Sequence, residues 1–270
     1  ITLTVLEPTL QPTTAKARST AGDAPILLVN TLGKGRAVTT NFAWGTLDAA
    51  RTKDEPNPLL EALSGILRDA DVQPACALTR PGGSRPLCLQ QVQFTDGNAR
   101  YLGLQQDLLV RGLPEQKLHV KLPQPSLVYD IRAGRQVGTG PVTEWDATVS
   151  RGRPLLYALL PYQVSAVTAD APDAAMVGTT LRIPVSISPD GAKPAFHVVR
   201  MDAYALGSDT PHRQYSQNLA CPDGKGKAVI PFALNDQPSE WRLVFRDVAS
   251  GVETTRTVRM TFGRPKRRDR

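Results

Sequence analysis

The chain has 270 residues and a formal net charge of +7, and its 41% hydrophobic and 21% charged residues are typical of a globular protein. No run approaches the ~20 consecutive apolar residues that a membrane-spanning helix needs, so we expect no membrane span. The 23 prolines and 21 glycines favour short strands and turns over long helices.

The first 75 residues predict the C-terminal part of an α/β domain. Residues 25–42, PILLVNTLGKGRAVTTNF, are typical of a β-hairpin that turns at Gly33-Lys34-Gly35. Asn57 and Pro58 are suited to open a helix that ends near Asp71. The chain does not begin with Met, and we expect it to be a processed product or a piece of a longer protein. The GKG sequence could also suggest a phosphate-binding loop, but it lacks the GxxxxGK[ST] pattern.

Residues 76–163 predict an antiparallel β domain, because no helical pattern separates their strands. An Asp-Gly pair within Thr95–Asn98 is a strong signal for a hairpin. The predicted strands are 87–94, 99–104, 117–120, 127–131, 142–149 and 155–160.

Residues 164–263 predict an immunoglobulin-like β-sandwich of about seven strands over roughly 100 residues. Residues 163–175 are interpreted as a linker, and Leu181–Ile187 as a strand. Residues 227–262 predict three successive antiparallel strands in one sheet, which residues 181–204 would cover as the second sheet. In the alternation of this stretch, Trp241 falls on the inner face, opposite Leu181–Ile187.

The sequence therefore predicts a mainly β fold, with antiparallel β-sandwich domains preceded by the hairpin-plus-helix remnant of an α/β domain. Residues 264–270, RPKRRDR, carry five positive charges and one negative charge and thus supply most of the net charge. We expect them to form a basic disordered tail, and we expect no nucleic-acid partner.

The cysteines and histidines predict no metal site and no cofactor. There is no CxxC motif, and the three histidines lie far apart in the sequence. Cys76 and Cys88 flank a turn-rich segment, so they could form a disulfide bond, whereas buried free thiols are the alternative for both and for Cys221.

Candidate catalytic residues are sparse. Glu144 with Asp146, and Asp236 with Glu240, are the carboxylate pairs that glycoside hydrolysis could use, but acidic residues at strand ends and turns commonly face water. No GxSxG motif accompanies the histidines. We therefore expect no catalytic set in this chain.

Aromatic residues are the candidates for a ligand site, because their rings can stack on sugars. Trp241 shares a face with apolar neighbours and is expected in the core. Trp145 lies between two carboxylates and is expected at the surface. The weak candidates for carbohydrate binding are Trp145, Tyr162 and Trp44.

Three stretches carry a resemblance to a known family. GKGRAVTTNFAW with the following helix resembles the end of the glutamine-amidotransferase-like domain of family-42-type bacterial β-galactosidases. FTDGNARYLGLQQD, LVYDIRAGRQVGTG and RPLLYALLPYQV resemble the β-rich segment after such domains. The stretch from HVVRMDAY to VASGVE resembles a terminal immunoglobulin- or macroglobulin-like sandwich.

This resemblance implies a non-catalytic accessory region of a glycoside-hydrolase-like multidomain protein. The catalytic glutamates of that family lie in a barrel outside this chain, so no catalytic position carries over. The resemblance also implies carbohydrate as a possible ligand, a possible homo-oligomer through the α/β remnant, and an extracytoplasmic (periplasmic or secreted) location. The alternative is a β-sandwich adhesion or surface-interaction protein with no link to an enzyme.

Overall fold

The computed structural model describes residues 4–45 and 51–262, and the predicted basic tail at 264–270 lies outside this part. The described chain is mainly β with antiparallel sheets and a helix α1 (Pro58–Asp69), which confirms the predicted fold class. The strands are β1 (Lys16–Ala21), β2 (Ala24–Leu32), β3 (Gly35–Thr40), β4 (Ala77–Thr79), β5 (Leu89–Asp96), β6 (Ala99–Gln106), β7 (Gln116–Asp130), β8 (Arg135–Val149), β9 (Leu155–Leu160), β10 (Val164–Ala169), β11 (Ala174–Met176), β12 (Thr180–Pro189), β13 (His197–Ala205), β14 (Gln217–Cys221), β15 (Lys225–Pro231), β16 (Glu240–Asp247) and β17 (Glu253–Thr261).

The described residues form two compact units. The first comprises residues 4–45, 51–89, 106–120 and 146–151, and the second comprises 90–105, 121–145 and 152–262. Strands β7 and β8 contribute one part to each unit. The predicted domain boundaries at residues 76 and 164 stay predictions.

The first unit contains the predicted hairpin and helix. Strands β1, β2 and β3 form an antiparallel sheet, and Gly33 makes the β2–β3 turn at a φ of 58°. Helix α1 begins after Asn57, whose side chain accepts hydrogen bonds from the backbone N–H groups of Leu59 and Leu60 at 2.9 and 3.3 Å. Both predicted elements are confirmed, since glycine and an N-capping asparagine supply the local geometry that each requires.

In the second unit, the β-rich segment forms a sheet with the order β7–β9–β6–β5, and β8 lies beside β7. The predicted β5–β6 hairpin is confirmed, with Gly97 in its turn at a φ of 56°. The predicted separate strands 117–120 and 127–131 are one continuous strand, β7. Pro123 and Pro125 favour a break between the two segments. The strand nevertheless continues through both prolines, and both are exposed.

The remainder of the second unit is a β-sandwich of two sheets, β10–β12–β15 and β11–β17–β16–β13–β14. In chain order, β10, β12 and β15 correspond to strands A, B and E of an immunoglobulin-like fold, and β13, β14, β16 and β17 to strands C, C′, F and G. This arrangement supports the immunoglobulin-like prediction.

Two predictions about this sandwich are wrong. Residues 163–175 are not a linker, since β10 lies within them, β11 begins there, and Val164, Val167 and Ala169 are buried. The small residues between these positions, together with a shift of register near Ala166, conceal the alternation.

The predicted single sheet of residues 227–262 is also divided. Strand β15 pairs with β12, whereas β16 and β17 pair with each other in the opposite sheet. The alternation of apolar residues identifies the buried face of each strand but does not identify the strand with which it pairs. The connection from Phe232 to Ser239 carries the chain from one sheet to the other.

The predicted inner position of Trp241 is confirmed. Trp241 is 4% exposed and belongs to one core cluster with Leu181, Ile183 and Val185 of the facing sheet. Its ring meets Tyr215 and Phe232 edge-on, with centroids 5.4 Å away in both cases. Trp241, Tyr215 and Phe232 therefore form an aromatic cluster in the core of the sandwich.

Candidate functional site

The predicted aromatic candidates do not form a common site. Trp145 is only 8% exposed and packs edge-on against Tyr157 at 5.1 Å, so its expected surface position is wrong. Its neighbours Glu144 and Asp146 are exposed, because successive residues of a strand point to opposite faces. The two acidic neighbours therefore indicated only that the face of β8 opposite Trp145 is exposed.

Trp44 and Tyr162 are held by packing and hydrogen bonds. Trp44 is half-buried against Phe42, at a ring distance of 4.7 Å, and its indole N–H donates to the Thr40 hydroxyl at 3.0 Å. Tyr162 is buried. In this structure neither Trp145 nor Tyr162 presents an open ring face to a ligand.

The carboxylates of the second predicted catalytic pair have local structural partners or face water. Asp236 accepts hydrogen bonds from the Tyr215 hydroxyl at 2.6 Å and from the backbone N–H of Ala233 at 2.8 Å. These bonds fix the loop after β15. Glu240 is exposed at the start of β16.

Tyr162, His197 and Asp247 form a buried hydrogen-bond network that resembles a catalytic relay. The His197 Nδ1 atom lies 2.8 Å from the Asp247 Oδ1 atom, and Nε2 lies 2.9 Å from the Tyr162 hydroxyl. In the neutral tautomer whose Nδ1–H donates to the carboxylate, Nε2 accepts a hydrogen bond from the Tyr162 hydroxyl, which in turn accepts from the backbone N–H of Ala195 at 2.8 Å. The other Asp247 oxygen accepts from the Ser250 backbone N–H and hydroxyl at 2.9 and 2.5 Å.

This network is closed to substrates. The side chains of His197 and Asp247 have no exposed surface. Burial is the main reason that the pKa of Tyr162 is raised, so its hydroxyl keeps its proton. The polar atoms of this network are hydrogen-bonded to other buried groups, and the network stabilises the sandwich core.

The sequence contains a signal for this network in the phase of its two strands. Asp247 continues the buried alternation of Trp241, Leu243 and Phe245 by one step, and His197 begins the buried alternation of β13. A carboxylate in phase with a buried face requires a buried partner.

A second histidine–carboxylate pair lies at the surface of the first unit. His119 Nδ1 is 3.0 Å from Asp146 Oδ1, and the Asp146 side chain is 90% exposed. The pair lies in an open cleft of about 590 Å³ that Pro81, Lys117 and Thr148 also line. An exposed ion pair of this kind contributes little to stability.

The strongest candidate for ligand binding is an aromatic cleft in the second unit, which we call the Phe94–Phe196 cleft. It has a volume of about 470 Å³ and is mainly apolar. Phe94 is 62% exposed and Phe196 is 41% exposed. The lining residues are Phe94, Thr95, Asp96, Tyr101, Ile131, Phe196, Val198, Val248 and Ala249.

Hydrogen bonds position the walls of this cleft. The backbone N–H of Phe196 donates to Asp96 Oδ2 at 3.3 Å, and the Tyr101 hydroxyl donates to the Phe196 carbonyl at 3.3 Å. The side-chain amide of Asn98 donates to the Lys193 carbonyl at 3.4 Å. The β5–β6 hairpin and the start of β13 are thus joined by three bonds on one side of the cleft.

The cleft combines aromatic rings with a carboxylate. Burial is the main cause that raises the pKa of Tyr101 to about 12, so this residue is a neutral hydroxyl at physiological pH. Exposed rings can pack on the apolar faces of a ligand, while Asp96 can accept hydrogen bonds from its hydroxyl groups. The arrangement therefore supplies groups that can bind a ligand.

Sequence reasoning missed this cleft. In β13, His197 and Val199 are buried, so Phe196 is out of phase with the buried alternation and points to the opposite face. Phe94 lies on an end strand, near the turn of the β5–β6 hairpin. A large aromatic residue out of phase with the core was the available signal.

Cys76, Cys88 and Cys221 are buried and form no disulfide bond, so the alternative of buried thiols is the correct one. Burial raises the pKa of Cys76 to about 11, which makes its thiol unreactive. Over residues 4–45 and 51–262, no group of three or more potential ligands could hold a metal ion. No helix in the same part of the chain is long and apolar enough to cross a membrane.

No protein-family model and no curated protein matches the chain. One similar solved structure is the superoxide reductase (neelaredoxin) from Ignicoccus hospitalis, with 10% identity over 36% of this chain and 82% of that chain and a TM-score of 0.25. Another is a chimeric titin Z1Z2–Z1Z2 tandem functionalised with a GRGDS peptide from fibronectin, with 14% identity over 71% of this chain and 85% of that chain and a TM-score of 0.24. These similarities are too low to support an inference about function.

Proposed function

We propose that this chain is a non-catalytic accessory region of a glycoside-hydrolase-like multidomain protein and that it binds carbohydrate at the Phe94–Phe196 cleft. The observation that carries this proposal is the exposure of two phenylalanine rings beside the Asp96 carboxylate in one cleft. The sequence resembles the region after the barrel of family-42-type β-galactosidases. This resemblance supports a glycoside-hydrolase-like parent protein and an extracytoplasmic location.

Residues 1–75 would hold the chain in the assembled protein. Apolar side chains are exposed there, among them Leu32 at 64% and Leu67 at 42%. Such surface favours packing against another part of the parent protein or against a second copy of the chain. A sandwich that serves only as an adhesion or surface-interaction protein is the alternative function, and it would use the same cleft for a partner other than a glycan.

Binding of galacto-oligosaccharides, measured by isothermal titration calorimetry, tests the proposal. We expect Phe196→Ala to weaken binding about tenfold or more, because an anchoring ring is worth roughly 1.4 kcal/mol or more. Phe262→Ala is the matched control, since Phe262 is 67% exposed and does not line the cleft. Binding that is equal in wild type and Phe196→Ala would contradict the assigned site, and the absence of binding to any oligosaccharide of a broad panel would favour the adhesion alternative.

We expect the isolated chain to hydrolyse no aryl-glycoside or ester substrate. The Tyr162–His197–Asp247 network is sealed inside the sandwich, and the Asp146 carboxylate of the surface pair is 90% exposed, as a solvated surface side chain is. Release of nitrophenol from chromogenic substrates by the homogeneous protein is the measurement. Turnover that disappears in Glu144→Gln or Asp146→Asn would show that the chain is catalytic.

A further inference from the structure

Strand β5 ends its sheet without a described partner on its outer side. The order of that sheet places β5 at the end, beside β6 alone, within the part of the chain that the structure describes. From Val92 to Asp96 every residue is exposed, and Val92 itself is 44% exposed. An end strand of this kind offers backbone N–H and C=O groups to a further strand.

Proteins usually protect such an edge, and β5 lacks the usual protection. Residues 89–95, LQQVQFT, contain no charge, no proline and no glycine. The lysines or prolines that would oppose a second strand are therefore absent from this edge. Because the charge of β5 is confined to its last residue, Asp96, an antiparallel pair of identical strands centred on the uncharged stretch does not place like charges opposite each other.

The hairpin determines which backbone groups point outward. Its two-residue turn, Gly97-Asn98, pairs Asp96 with Ala99 as a hydrogen-bonded pair. Because hydrogen-bonded and non-hydrogen-bonded pairs alternate, the backbone groups of Gln91, Gln93 and Thr95 point away from β6. Gln93 is the central one of these three residues.

We propose that two copies of this chain pair through β5, antiparallel, about a two-fold axis at Gln93. In this register Val92 of each copy lies opposite Phe94 of the other, and Gln90 lies opposite Asp96. A β-branched residue opposite an aromatic residue is a favourable cross-strand pair, and the glutamine amide can donate to the carboxylate. The strand is thus complementary to itself, as an isologous interface requires.

This pairing goes beyond carbohydrate binding and does not depend on it. Val92, Phe94 and Asp96 lie on one face of β5, so pairing places the Phe94–Phe196 clefts of both copies on the same face of a continuous sheet. A polymeric ligand could then contact two clefts together, which increases its apparent affinity.

Disulfide cross-linking of the full chain tests the register. We expect Gln93→Cys to form a covalent dimer on mild oxidation, because a hydrogen-bonded pair has its Cα atoms about 5.5 Å apart, within the range of a disulfide. Gln91→Cys is the matched control, since its two copies would lie on the order of 14 Å apart. The double variant Gln91→Cys/Thr95→Cys should cross-link again, and the wild type should not, because its three thiols are buried.

Light scattering after size exclusion gives an independent result. Gln93→Pro removes an outward N–H group and leaves the bonds to β6 intact, so we expect it to convert the dimer into a monomer with an unchanged circular dichroism spectrum. A monomeric wild type at high concentration, or equal cross-linking of Gln91→Cys and Gln93→Cys, would overturn the proposal. A dimer that persists in Gln93→Pro and is lost in Leu32→Glu, at an exposed residue of the first unit, would place self-association on residues 1–75 instead and would equally overturn it.

Discussion

Trp241→Ala is expected to unfold the sandwich or to lower its stability severely. The indole contacts Tyr215 and Phe232 and lies in the core shared by both sheets. Removing a buried tryptophan loses its transfer free energy and leaves a cavity, at a cost of about 3–5 kcal/mol. A typical domain has only about 5–15 kcal/mol of stability, so the loss is a large fraction of the total.

Thermal and urea denaturation, followed by tryptophan fluorescence and circular dichroism, measure this loss. Leu206→Ala is a suitable control, since Leu206 is 70% exposed in the loop after β13 and its truncation should change the free energy of unfolding by less than about 0.5 kcal/mol. Melting curves of Trp241→Ala and wild type that coincide would refute the register of β16.

Asp247→Ala should destabilise the protein by a similar amount, for a different reason. The substitution removes the acceptor of His197 Nδ1–H and of both Ser250 donors while these groups stay buried. A buried donor that is left unsatisfied costs about 1–3 kcal/mol, and this substitution leaves three such donors without their acceptor. Urea unfolding of the variant measures the loss directly.

Asp202→Ala is the matched control for this substitution. Asp202 on β13 pairs with Arg200 at 2.7 Å, but both side chains are partly exposed, and such pairs contribute about 0–1 kcal/mol. Equal losses of stability in Asp202→Ala and Asp247→Ala would show that the buried network contributes no more than a surface ion pair. That outcome would reopen a functional role for Tyr162, His197 and Asp247.

Periodicity and turn chemistry predicted the local structure well. The β5–β6 hairpin, the capped helix α1 and the inner face of β16 are confirmed, because each depends on residues close in sequence. The pairing of β15 with β12 could not be predicted, since it depends on which edge is free after other strands have packed. Strand β10 was missed because serine, threonine and alanine carry too little contrast between its faces.

The candidate site was harder to predict than the fold. Trp145 was selected because its neighbours are charged, although charged neighbours on a strand face away from the residue between them. Phe94 and Phe196 are separated by 102 positions in the sequence, and only the tertiary fold brings them into one cleft. No spacing rule for a motif connects two such residues.

The central claim is that the Phe94–Phe196 cleft binds carbohydrate. Backbone amide shifts of the ¹⁵N-labelled protein, titrated with the tightest-binding galacto-oligosaccharide, test it most directly. We predict that the largest shifts occur at Asp96, Tyr101 and Phe196 and that they vanish in Phe196→Ala but persist in Phe262→Ala. Shifts centred on Trp44 or on the His119 cleft, or no shifts at millimolar ligand, would contradict the claim.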